Sequence, residues 1–246
     1  FTRRTVIAAA CAAAAMTFAP MSFAQQAPEK KDVTIAVGGK SLYYYLPLSI
    51  AEQLGYFKDE GLNVKIVDFQ GGSRSLQAVV GGSADVVSGA FEHTISMQAK
   101  KQPMTAFVLQ GRAPQLALVV SNKTMKDYKQ LSDLKGKKVG VTAPGSSSQM
   151  VANFILKKGG LGPKDVAFIG VGSSSGAVSA IRSGQIDALI NLDPVITILL
   201  KNGDAKLVAD TRKVKESESF FGGTMPAGCL YAPVSFIEKN PQTVQA

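Results

Sequence analysis

The sequence predicts an α/β protein of two similar lobes, each a mostly parallel sheet flanked by helices, and three observations carry that expectation. Apolar runs of strand length alternate with amphipathic stretches of helix length over most of the chain. A motif recurs: QGGSRSLQAVVGGSADVV, from Gln70, overlies GSSSGAVSAIRSGQIDAL, from Gly172, with Ala78 matching Ala180, Gly82 matching Gly184 and Asp85 matching Asp187. Gly/Ser loops follow the apolar runs at GGKS (38–41), QGGS (70–73), PGSSS (144–148) and GSSSG (172–176). Short apolar strands alternating with helices argue for parallel sheets covered on both faces. The repeat is open to two accounts, convergence of a common βαβ pattern or duplication into two lobes of roughly 100 residues.

The elements follow in order. VTIAV at 33–37 is a buried strand, and Gly38-Gly39 leads to a helix over 47–55. Residues 64–69 form a second strand, QGGS turns into a helix ending near Val80, and 85–87 form a third strand. After an apolar stretch at 116–120 the pattern restarts with a strand at 139–143 and a helix over 149–158, its apolar face made of Val151, Phe154 and Ile155. A strand at 168–171, a helix over 176–182 and a strand at 187–190 complete this half. The expected division is lobe I at 32–117, lobe II at 118–224 and a return into lobe I at 225–246, with Cys229 on a strand crossing between lobes. A cleft between the carboxyl ends of two such sheets is where open α/β folds bind ligands.

Composition narrows the function classes. The chain is 46% hydrophobic and 18% charged, too apolar for a disordered protein. Two cysteines, Cys11 and Cys229, and a single histidine, His93, cannot build a disulfide framework or a multi-histidine metal centre, so no metal and no cofactor are expected. Arg3-Arg4, the apolar run at 6–19 and Ser22-Phe23-Ala24 spell a secretory signal peptide over 1–24. That run is shorter than the about 20 residues a spanning helix needs. The leader suits general or twin-arginine export, and Ala8-Ala9-Ala10-Cys11 makes a poor lipoprotein box. Export places the mature chain in the periplasm. Its charge is then 25 − 18 = +7, after loss of two of the 27 basic residues. The lysines (Lys123, Lys126, Lys129, Lys135, Lys137, Lys138) are scattered, without interleaved aromatics, and no nucleic-acid partner is expected.

The four Gly/Ser loops offer backbone N–H groups, hydroxyls and helix-start charge to a polar or anionic ligand. None matches the nucleotide-binding patterns G-x-x-x-x-G-K-[ST] or G-x-G-x-x-G. The segment from Ser41 to Ala90, above all AEQLGYFKDEGL at 51–62, resembles the solute-binding subunits of ABC importers for nitrate, sulfonates, taurine and thiamine-pyrimidine precursors. DLKGKKVGV at 133–141, PGSSS and GQIDAL at 184–189 extend that resemblance over 33–246. It implies a two-lobed periplasmic-binding-protein (Venus-flytrap) fold, a small-molecule solute in the interlobe cleft, an ABC permease of the inner membrane as partner, and a monomer. Members of this family carry further C-terminal helices that return to the first lobe, so a chain running from Phe1 to Ala246 is expected to be a fragment.

Carried over position by position, the resemblance implies ligand contacts at Ser41, Tyr43 and Tyr44 after the first strand, at Gly72 and Ser73 after the second, and at Ser88, Gly89 and Ala90 after the third. From the second lobe it implies Pro144, Gly145, Ser146 and Ser147, then Ser174, then Asn191 and Asp193. Several residues have a second reading. Three consecutive tyrosines cannot all face one side, Asp193 before Pro194 is also an ordinary helix start, and Arg74 is either solvated or an anion partner. Glu92 and His93 begin a helix near the cleft, with His93 read as a surface residue before a ligand contact.

The expected function is capture, without catalysis, of a small anionic organic solute such as a sulfonate, nitrate or carboxylate, because the N–H and O–H donors recur in both lobes. The alternatives are a fold-related enzyme acting on a small aromatic or pyrimidine, or a binder of a neutral thiamine-pyrimidine precursor. Relatives with chemistry use a cysteine-rich iron-binding motif or a cleft cysteine, whereas Cys229 reads as a small buried hydrophobe.

Overall fold

The computed structural model describes residues 26–246, and the expected leader, with Cys11, lies outside them. Two five-stranded sheets form the frame. The first contains β1 (Asp32–Val37), β2 (Asn63–Asp68), β3 (Val86–Ala90), β4 (Met104–Leu109) and β10 (Gly228–Pro233), in the order β2-β1-β3-β10-β4. The second contains β5 (Ala117–Ser121), β6 (Lys138–Val141), β7 (Ala167–Gly170), β8 (Ala188–Asn191) and β9 (Ala205–Asp210), in the order β7-β6-β8-β5-β9. The two orders correspond strand for strand. β1 runs parallel to β2 and β3, and β6 parallel to β7 and β8. One strand in each sheet runs against its neighbours, β10 between β3 and β4 and β5 between β8 and β9, so the sheets are mixed.

The repeated motif has a physical purpose in both sheets. Asp85 Oδ2 accepts the Thr34 backbone N–H at 2.9 Å, and Asp187 Oδ2 accepts that of Lys138 at 3.0 Å. Each aspartate also donates its own backbone N–H to the carbonyl of that same residue, both at 2.9 Å. The carboxylate thereby satisfies a backbone donor at the start of the neighbouring strand and fixes where pairing begins. The matched glycines before them, Gly82 and Gly184, have φ of +75° and +82°, a conformation glycine adopts without strain.

Helices α1 (Leu46–Leu54), α2 (Tyr56–Asp59), α3 (Gly72–Val80) and α4 (Glu92–Ala99) belong to the first half. The second half holds α5 (Ser147–Lys158), α6 (Ser175–Ser183), α7 (Val195–Lys201) and α8 (Val214–Phe221), and the chain closes with α9 (Val234–Lys239) and α10 (Pro241–Gln245). α5 buries Val151, Ala152, Ile155 and Leu156 against the second sheet. Phe154, expected on that face, is instead 45% exposed and packs its ring 5.1 Å from Phe221 of α8. Among the described residues no helix is long and apolar enough to cross a membrane.

Two segments connect the halves, 110–116 and 222–227, and they pair with each other. Gln110 and Gly111 donate N–H groups to the Gly228 carbonyl at 2.6 and 3.0 Å, and Ala227 returns one to Gly111 at 3.1 Å. β4 and β9 do not stand out in the sequence reading. Both are edge strands, exposed at Thr105, Val108 and Leu109 of β4 and at Lys206 and Leu207 of β9.

Candidate functional site

The carboxyl ends of the parallel strands of both sheets face each other, and the Gly/Ser loops meet there. Ser146, extended at φ −82° and ψ 165°, starts α5. Its Oγ accepts the Ser73 backbone N–H at 3.0 Å and donates to Ser73 Oγ at 3.1 Å, while Ser73 Oγ donates to the Pro144 carbonyl at 3.0 Å. On the other side of the seam Tyr43 donates its backbone N–H to the Asp193 carbonyl at 3.1 Å. Gly71, at φ +93°, brings the halves together: a Cβ there would stand 2.8 Å from that of Ala143. The halves are therefore closed on each other.

Beside this seam lies a small enclosed cavity. Tyr44, Ala90 and Glu92 line it from the first half, Ser147, Met150 and Val151 from α5, and Pro114, Leu116, Met225, Pro226 and Ala227 from the connecting segments. It closes down to the space of about one water molecule. Two buried polar atoms on its lining residues, Tyr44 Oη and Glu92 Oε1, have no hydrogen-bond partner in the protein. A buried polar atom without a partner costs about 1–3 kcal/mol, more when charged, so these groups call for a partner from outside.

Burial sets the protonation here. It pushes the Glu92 carboxyl up to about 7, against the hydrogen bond from its own backbone. It pushes His93 down to about 4, with the Gly145 backbone working the other way and Lys100 adding to the fall. His93 is 3% exposed, which corrects the surface reading. Its Nδ1 lies 2.7 Å from Tyr231 Oη, so the neutral ring is fixed within the first half. Burial first, then the Glu92 charge, raise the Tyr44 hydroxyl well above its usual range and the Cys229 thiol to about 12. Cys229 is free and buried, an unreactive hydrophobe.

The sequence-expected residues fall into five places. Tyr44, Ala90 and Ser147 line the cavity. Ser41 and Ser174 line a separate polar groove between the halves, with Asp68, Gln70 and Ser173. Gly72, Ser73, Pro144, Gly145 and Ser146 form the seam, where a Cβ on Gly72 would stand 3.2 Å from His93 Cε1 and one on Gly145 3.7 Å from Ser73 Cβ. Tyr43 is 64% exposed and meets the second half through its backbone.

The remaining side chains are engaged within the protein. Ser88 donates to Gln110 Oε1 at 2.8 Å, and Gly89 lies against the Tyr231 ring. Asn191 donates to the Gly172 carbonyl at 3.0 Å and accepts the Leu192 N–H at 2.9 Å. Asp193 accepts from the Thr197 N–H and hydroxyl at 3.0 and 2.7 Å, and from Arg212 Nη1 at 3.1 Å, so its side chain holds the start of α7. Met150 and Met225 were not singled out by the sequence reading, in which they are ordinary apolar residues. Glu92 was noticed beside the cleft, two residues past a strand end, but not among the expected ligand contacts.

Known proteins bear on this arrangement. The chain is 62% identical to a protein of known structure from Bordetella bronchiseptica RB50, with a TM-score of 0.88, covering 89% of this chain and 69% of that one. It is similar in fold to the alkanesulfonate-binding protein SsuA of Xanthomonas axonopodis pv. citri, bound to MOPS, at 22% identity and a TM-score of 0.68, covering 88% of this chain and 70% of that one. The binding protein YtlA of Bacillus subtilis (strain 168) is 27% identical over 203 residues, 81% of this chain and 58% of its own length. Other curated relatives, among them one from Schizosaccharomyces pombe at 27% identity over 65% of this chain and 45% of its own length, are named 4-amino-5-hydroxymethyl-2-methylpyrimidine phosphate synthases. The chain thus spans about half to two thirds of the length of the curated relatives it matches. The NMT1/THI5-like family model matches residues 43–246, and the chain belongs to that family.

Proposed function

We propose that this protein captures a small organic solute between its two halves and presents it to an ABC permease from the periplasm. The observation that carries this reading is the meeting of the two halves at the carboxyl ends of their strands, with a polar groove between them lined by Ser41, Asp68, Gln70, Ser173 and Ser174. A solute that touches both halves adds contacts that the open form lacks, so its binding shifts the population towards closure. The leader expected at 1–24 and the fold shared with a sulfonate-binding protein support the periplasmic and transport parts of the reading.

The Gly/Ser loops favour the anionic solute expected from sequence, since helix starts suit oxyanions. The cavity favours the other sign: its only ionisable lining residues are Glu92 and Tyr44. Ser73 and Ser146 also spend their hydroxyls on the seam rather than offering them to a ligand.

Among the described residues the synthase reading finds no donor set, over a chain that spans only part of those relatives' length. Cys229 is the one cysteine among the described residues, it is buried, and no group of three or more His, Cys, Asp or Glu among those residues is placed to hold a metal ion. The residues therefore do not fit the cysteine-rich iron motif. Mass spectrometry of small molecules released by denaturing the purified protein tests capture. One unmodified solute at near-stoichiometric amount is expected, while conversion of that solute by the protein would contradict the reading.

A further inference from the structure

The lysines scattered along the sequence gather at one end of the second half. The strands β6 to β9 open at the pole opposite the cleft, and β5, which runs against its neighbours, finishes there. Lys138 opens β6, Lys164 precedes β7, and Lys206 follows the first residue of β9. The helices return from the cleft to the same pole. Lys157 and Lys158 end α5 there, Arg182 lies in the last turn of α6, and Lys201 ends α7. The segment joining β5 to β6 stays at this pole throughout and adds Lys123, Lys126, Lys129, Lys135 and Lys137. All twelve are exposed except Lys137, which is half-buried.

Five acidic residues share these segments, so the pole carries 12 − 5 = +7. The rest of the chain past residue 24 holds thirteen basic and thirteen acidic residues. The whole excess of positive charge therefore sits in one place. Most of the carboxylates there are already engaged. Asp133 accepts the Lys129 and Gln130 N–H groups at 2.8 and 3.0 Å, Asp165 that of Gly162 at 2.7 Å, and Asp187 that of Lys138. Asp204 pairs with Arg182 Nε at 2.8 Å. Among the described residues, none of the eleven lysines lies within ion-pair distance of a carboxylate. Lys123 donates instead to the Arg182 and Ser183 carbonyls at the end of α6, at 3.2 and 3.0 Å.

We propose that this pole docks on a membrane surface bearing anionic phospholipids. Protein interfaces favour Arg and aromatic residues and are depleted of Lys. Here eleven of the twelve cations are lysine, and the one aromatic residue of these segments, Tyr128, is half-buried. Flexible ammonium groups spread over a broad end need no complementary shape, which suits a field of mobile phosphates. The docking does not depend on solute capture, since the pole lies at the far end of the half from the cleft.

Cosedimentation with vesicles of equal parts phosphatidylglycerol and phosphatidylcholine, set against phosphatidylcholine alone, tests the assignment. Binding to the anionic vesicles is expected to be at least about tenfold tighter at about 0.1 M salt, and to be lost at about 0.5 M. Lys126→Glu, Lys135→Glu, Lys157→Glu and Lys158→Glu together should weaken it at least about tenfold. Lys31→Glu, Lys58→Glu, Lys65→Glu and Lys215→Glu change the net charge equally at exposed positions away from the pole. They should weaken binding by less than about a third of that factor, because the attraction fades within a Debye length. Should a fourfold variant fail to fold, Lys126→Glu with Lys135→Glu against Lys31→Glu with Lys58→Glu gives the same comparison. Equal loss in both sets, equal binding to both kinds of vesicle, or no binding to either would each overturn the assignment. Capture by immobilised polyglutamate without binding to the anionic vesicles would also overturn it and give the pole to an acidic protein.

Discussion

At the residue scale, the burial of the Glu92 carboxyl costs stability. Its folded pKa of about 7 lies above the ordinary 4.5, so the folded form keeps the proton longer than the unfolded chain does. Glu92 therefore costs nothing below about pH 4.5, costs more as the pH rises, and reaches its full cost above about pH 7. With the halves closed as here, Glu92→Gln should raise the melting temperature at pH 8, by up to on the order of 3 kcal/mol in stability. The difference should vanish near pH 4. A melting temperature that is equal in the two proteins from pH 4 to pH 8 would show that Glu92 is solvated. His93 titrates in the opposite sense: its depressed pKa makes stability fall as the pH drops from about 6.5 through 4, and the substitution at Glu92 leaves that loss in place. Ser147, on the cavity wall at the start of α5, is engaged differently from Ser146 in the seam. Ser147→Ala should weaken solute binding roughly tenfold by calorimetry, the value of one hydrogen bond, with the melting temperature unchanged. Unchanged affinity would take Ser147 out of the site.

At the scale of elements, the repeated aspartates explain why two dissimilar sequences build the same sheet order. Asp85→Ala and Asp187→Ala each remove the acceptor of a backbone N–H, and each should cost about 1 kcal/mol in denaturant unfolding. A loss below about 0.5 kcal/mol in both would mean that water replaces the carboxylate without penalty. This part of the fold was legible, since a recurring Gly-x-x-Asp before an apolar strand is visible in sequence. The central strands were legible for a similar reason, their residues being apolar on both faces. β4 and β9 were not, because neither keeps a clean alternation: Val108 and Leu109 of β4 are exposed together, as are Lys206 and Leu207 of β9. Phe154 shares its helix spacing with Val151, but α8, distant in sequence, offers it Phe221 at the rim. The site was half legible. The Gly/Ser loops gather as their pattern suggests, yet the pairing of Ser73 with Ser146 depends on two halves meeting, which no local pattern encodes.

For the whole molecule, function lies in the seam that joins the two halves. Gly71 permits the close approach to Ala143, and any side chain there meets both a positive φ and a contact too short to hold. Gly71→Ala should therefore hold the halves apart and lower solute affinity at least about tenfold, while each half keeps its sheet. Native affinity in that variant would mean that capture does not need this seam. The most direct measurement of capture by closure is the distance between probes attached to Lys65→Cys on β2 and Lys164→Cys before β7, both exposed positions in opposite halves. The buried Cys229 stays unlabelled under native conditions. Adding the solute that copurifies with the protein should shorten this distance in the unmutated background and leave it long in Gly71→Ala. An unchanged distance at saturating solute would contradict capture by closure.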